Sequence, residues 1–137
     1  MRRSEQRRAA IWALYQADLL GKPLAETFPR DSLNFTRVLA TEVRDHQPEL
    51  DEVISKYATG WTLGRIAPLE RAILRVALLE MQHPELLPGE TAIPPAGAID
   101  EAVETAKEFC GADAPGFVNG VLGAVLKDMQ QQTAGTG

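Results

Sequence analysis

Apolar residues recur at three- and four-residue intervals along almost the whole chain, and that periodicity predicts helices nearly everywhere. The stretch 68–82 carries the pattern furthest. Pro68 suits a first helical turn, and in 73–79 six of seven residues are apolar, with Arg75 alone breaking the run. A helix that is apolar nearly all round must be enclosed by others, so this one belongs at the centre of a bundle.

The remaining segments supply the enclosure. Ser4 is a candidate N-cap for a helix reaching about Leu20, with Ile11, Leu14, Tyr15 and Leu19 on one face and Gly21 and Pro23 ending it. Ser32 can cap a second helix bearing Phe35, Val38, Leu39 and Val43. Pro48 opens a third, with Leu50, Val53, Ile54 and Tyr57. A joint over 59–64 leads into the central helix, and the Pro-rich stretch 84–95 forms a loop after it. Helical spacing resumes through Ile99, Ala102, Val103, Ala106 and Phe109, then through Val118, Val121, Leu122, Val125 and Met129. Asn119-Gly120 is a hairpin cue, but helical spacing continues well past it and overrides it. Gly116, Gly120 and Gly123 fall on one side of this last helix, a smooth face suited to close packing of another backbone. Residues 131–137 read as a flexible tail. The expectation is an all-α bundle of about seven helices in one domain, residues 1–130, since 137 residues fit a single core.

Charge is distributed unevenly. The net value is −5, yet 2–8 hold Arg2, Arg3, Arg7 and Arg8 against Glu5 alone, a local charge of +3. The rest of the chain carries 10 basic and 18 acidic residues. Four arginines in the first turns of a helix oppose its macrodipole, and arginine is the better residue for forked contacts to phosphate. No apolar run approaches the roughly 20 residues of a membrane span. The N-terminus lacks the apolar core of a secretory signal, and a lone Cys110 forms no internal disulfide, so the cytoplasm is the expected compartment.

Catalytic chemistry is hard to find. His46 and His83 stand 37 positions apart with no ligand pattern around either, so no metal site is expected. Glycine-rich phosphate loops and nucleophile motifs are absent, and Cys110 reads as a core residue. Asp100, Glu101, Glu104 and Glu108 read as the wet face of a helix. Two residues resist so plain an account. At about 100° per residue, Glu80 falls among Leu69, Ile73 and Val76, where a carboxylate must either be paired internally or emerge where a partner docks. Phe117, at the rim of the last helix's apolar stripe, is either core or a stacking platform for an unpaired base. Asp113 can cap that helix. Two competing readings are a helical-bundle enzyme using Arg71, Arg75 and Glu80 on an anionic metabolite, and a dimerisation scaffold with Trp12 or Trp61 at its interface.

The segments RRAAIWALYQADL (7–19), WTLGRIAPLERAILRVALLE (61–80), IDEAVETAKEF (99–109) and FVNGVL (117–122), in that order, make the chain resemble the NusB family of transcription antitermination factors. Only 20–60 matches weakly. The resemblance implies two packed helical subdomains, no catalytic activity and no cofactor. It further implies a pairing with NusE, a small-subunit ribosomal protein, to bind boxA RNA and load onto RNA polymerase, with a homodimer left open. Carried over by position, the RNA-binding set is Arg2, Arg3, Arg7, Arg8, Tyr15, Phe117 and Asn119, and the partner-binding pair is Glu80 and Asp113. Ser4 and Glu5 stand where many members have further arginines, implying weaker RNA affinity. Asp100 replaces the family's usual Asn.

Overall fold

A computed structural model describes residues 2–89 and 93–136. Residues 90–92 of the Pro-rich loop and the terminal Met1 and Gly137 lie outside the described part. The helices are α1 (Arg3–Leu20), α2 (Asn34–Asp45), α3 (Gln47–Tyr57), α4 (Pro68–Gln82), α5 (Pro95–Phe109) and α6 (Ala114–Thr136), with short 3₁₀ turns at Leu24–Glu26, Leu63–Arg65 and Pro84–Leu86. The backbone of α6 is helical to Thr136, through the segment that the sequence assigns to a tail. Among the described residues there is no strand, and no helix is long and apolar enough to cross a membrane.

As its composition predicts, α4 is the axis, with every residue of 72–81 buried. It packs against α1, α2 and α3 on one flank and against α5 and α6 on the other. Leu39, Leu50, Ile54, Ile73, Leu74, Leu78, Leu79 and Leu122 fill the interior. Arg75 is tolerated in α4 because Asp51 of α3 accepts from its Nε at 2.7 Å and from its Nη2 at 3.1 Å. The Tyr57 hydroxyl donates to Asp128, tying α3 to α6.

Several end signals differ from the sequence reading. Ser4 is not a cap: α1 begins at Arg3, and Arg2 occupies the N-cap position without a side-chain cap hydrogen bond. Ser32 likewise yields to Leu33. The cap at the other end of α1 is as expected. Gly21, at φ 65°, lets the amides of Gly21 and Lys22 both reach the Ala17 carbonyl. Leu19 lies off the buried face at 57% exposure. Among the described residues the glycine face of α6 receives no other backbone, because a Cβ built on Gly116, Gly120 or Gly123 would meet nothing within 4 Å.

Candidate nucleic-acid interface

Helix α1 runs antiparallel to α4, so its basic first turns come to the C-terminal end of α4 while its last turn reaches the start. The four N-terminal arginines consequently meet four different environments. Arg2 points outward, its side chain 84% exposed and 3.5 Å from Glu5. Arg3 lies 4.0 Å above the Phe35 ring, a cation–π contact that holds the guanidinium at the surface. Gly89 of the loop lies close by, in a backbone conformation that favours glycine. Its φ is +115°, and a Cβ there would stand 2.8 Å from an Arg3 nitrogen. Arg8 bonds Glu108 at 2.6 Å and sits 6.0 Å from the centroid of Phe109.

Arg7 turns inward. Its Nε and Nη2 donate to the two carboxylate oxygens of Glu80 at 2.6 and 2.9 Å, and the residues are only 6% and 2% exposed. Burial pushes the Glu80 carboxyl above its ordinary range, Arg7 pulls it back, and nearby Glu101 pushes it up again. Of the two fates open to Glu80, the internal pair is the one realised, so neither Glu80 nor Arg7 offers its charge at the surface. A helical wheel of α4 alone shows the apolar setting of Glu80 but not the helix that crosses it.

Beside the arm lies a cleft of about 510 Å³ lined by Arg2, Arg3 and Arg7, by the apolar Phe35 and Leu87, and by the carboxylates Glu80 and Glu101. Arg71 and Arg75 face away from it, bonded to Asp18 and Asp51, so the three side chains that a bundle enzyme needed do not converge. His46 and His83, distant in sequence, come to 5.1 Å between ring centroids, and His83 Nε2 lies 2.8 Å from Glu49. Among the described residues no group of three or more His, Cys, Asp or Glu is arranged to hold a metal. Cys110 is partly buried at the end of α5, and burial, with the Glu70 charge, raises its thiol above the ordinary range.

The second expected region forms where α4 and α6 begin. Phe117 is half-buried, packing against the core and against Trp61 with ring centroids 5.8 Å apart. Together with Ile66, Glu70, Asp113 and Ala114 these rings line a small apolar notch of about 100 Å³. The Asp113 carbonyl accepts the Phe117 amide at 3.2 Å, which starts α6 there, and Asp113 and Asn119 are exposed. Sequence reasoning missed Glu70 and Trp61 as neighbours of Phe117. It also assigned Phe109 to the buried face of α5, whereas that ring is 40% exposed and packs on Trp12 at 5.2 Å. Tyr15 stands on the other side of Trp12 at 5.6 Å.

The model of the NusB family matches residues 4–127, nearly the entire helical bundle. The chain belongs to the NusB family. It is 37% identical to the transcription antitermination protein NusB of Symbiobacterium thermophilum, over 95% of this chain and 92% of that protein. The fold resembles that of NusB from T. maritima, with a TM-score of 0.79 and 27% identity over 93% of this chain and 92% of that one. It also resembles antitermination factor NusB in a crystal structure with NusE and double-stranded RNA, with a TM-score of 0.75 and 26% identity over 93% and 99% of the two chains. NusB proteins are antitermination factors rather than enzymes.

Proposed function

We propose that this NusB chain, paired with NusE in the cytoplasm, binds the boxA element of nascent ribosomal RNA and helps load the pair onto RNA polymerase. The observation that carries the reading is the edge formed by Arg2 and Arg3, both exposed and lining the cleft, with Arg3 held over Phe35, in an otherwise acidic protein. A relative of the same fold crystallised with both NusE and RNA gives independent support. Arg2, Arg3 and Arg8 contact phosphates in this reading, while Tyr15, Phe117 and Asn119 meet bases or their edges. The Arg7–Glu80 pair keeps the arm in place, and the exposed Asp113 faces the basic partner.

A few arginine–phosphate contacts give a salt slope of about −0.7 per phosphate neutralised on a single strand, which amounts to weak binding by this chain alone. NusE adds a second surface on the same RNA and raises the combined affinity. A boxA titration at fixed salt, with and without NusE, tests the coupling. Tight binding only with NusE is expected. Equal affinity in the two titrations rejects the coupling, and no binding in either rejects the RNA reading.

A further inference from the structure

The C-terminal end of α4 carries a histidine cluster that the arginine edge does not use. His83 ends α4, its amide donating to the Leu79 carbonyl, and its own carbonyl opens the next 3₁₀ turn by accepting the Leu86 amide at 3.1 Å. His46 is the single residue between α2 and α3. The fold brings these two joints together, so that the rings stand 5.1 Å apart. Among the described residues three carboxylates flank them. Glu49, in the first turn of α3, lies 2.8 Å from His83 Nε2, and Glu85, in the 3₁₀ turn, lies 3.4 Å from His83 Nδ1. The Glu42 carboxylate of α2 lies 3.6 Å from His46 Nδ1, a nitrogen that also stands 2.9 Å from the Glu42 backbone carbonyl.

A neutral imidazole has one N–H, so between two carboxylates it can donate to one and must turn a lone pair toward the other. Only the imidazolium satisfies Glu49 and Glu85 together, and a cation at the C-terminal end of α4 also suits the helix dipole. When the proton leaves, the shorter contact to Glu49 keeps the remaining N–H. The contact that fails is then the one to Glu85, whose side chain is 64% exposed and is free to move into water. Glu85 belongs to the turn that leads into the cleft wall, where Pro84, Leu87 and Pro88 stand with Arg2 and Arg3. Phe35, on the helix that His46 closes, lines the same cleft.

We propose that His83, backed by His46, is a proton-operated clip on the arginine cleft. With His83 charged, α3 and the 3₁₀ turn are both drawn to one ring, and the wall at Leu87 and Pro88 is fixed. Without that proton Glu85 leaves and the wall loosens. The Glu49 hydrogen bond does most to hold His83 above its ordinary pKa, Glu85 adds to it and burial opposes, so the clip opens as pH rises through the raised value. The device needs neither RNA nor NusE, and its test stands apart from the functional reading.

The test uses the full chain labelled with ¹⁵N, taken from about pH 5 to pH 8.5. Imidazole signals, assigned with His83→Gln and His46→Gln, give the His83 midpoint, and the ¹⁵N heteronuclear NOE of the Leu87 and Gly89 amides reports the order of the wall. In the parent that NOE is expected to fall as pH rises, with the midpoint of His83. The fall is lost in His83→Gln. Glu85→Gln, which alters an exposed side chain and leaves His83 and Glu49 in place, is expected to lower the His83 midpoint and to leave the wall loose throughout. Constant order at Leu87 and Gly89 across the His83 midpoint overturns the proposal. So does a fall that persists in His83→Gln, or a wall in Glu85→Gln as ordered as that of the parent at low pH.

Discussion

Replacing one member of the Arg7–Glu80 pair should destabilise the protein far more than replacing both. The two residues are 6% and 2% exposed and share two hydrogen bonds of 2.6 and 2.9 Å, so removing either charge strands the other in the interior. Such stranding costs about 3–5 kcal/mol, whereas an apolar pair of similar volume is often neutral or stabilising. The two single losses should differ in character. With Glu80→Leu, Arg7 keeps Glu101 at 3.9 Å, which places the loss near the lower figure. With Arg7→Met, Glu80 loses both hydrogen bonds and keeps only the more distant charge of Arg3, while Glu101 still repels it, so it takes up a proton. Its folded-state pKa then rises further above the unfolded value, and stability recovers as pH falls. Thermal melts and urea unfolding at pH 8 and pH 5 measure both effects. The expected pattern is a loss of roughly 10–20 °C in melting temperature for either single variant at pH 8, partial recovery of Arg7→Met alone at pH 5, and a double variant close to the parent. Single losses under about 1 kcal/mol, or additive losses in the double variant, would refute the argument that this pair is a buried clamp.

Further outcomes follow from the same geometry. His83 is held above its ordinary pKa chiefly by its hydrogen bond to Glu49, with Glu85 adding to it and burial opposing. A raised folded-state value means that this contribution is full below the unfolded value and fades as pH rises through the folded one. The parent should therefore lose melting temperature from about pH 6 to pH 8 relative to His83→Gln. Gly120→Ala should raise stability by about 0.5–1 kcal/mol in thermal melts, since the added methyl meets nothing within 4 Å and α6 gains helix propensity. Phe117→Ala, half-buried against Trp61, should cost less than the roughly 3–5 kcal/mol of a fully buried ring, measured by urea unfolding, while lowering boxA affinity in the presence of NusE.

Much of the fold is legible in local patterns. The central place of α4 follows from its composition, the end of α1 from Gly21, and the start of α3 from Pro48, because each reflects a constraint acting within a few residues. Starts that rest on weaker cues are shifted, as at Ser4 and Ser32, where one serine cannot outweigh helical continuity on either side. The site was legible in part. Four arginines on one short arm can be counted, but their fates cannot, since Arg7 turns inward only because α1 passes antiparallel across the face of α4 that carries Glu80.

What the sequence determined by itself is therefore the all-helical architecture, the family, and a basic arm on an acidic body. These depend on periodicity, on motif order and on charge along the chain. Only the tertiary structure decided that Glu80 is paired with Arg7 in the interior, that Phe109 is outside, and that His46 lies against His83. Each depends on which helices cross, and the crossing is chosen by burial of whole faces rather than by any residue near the one it affects.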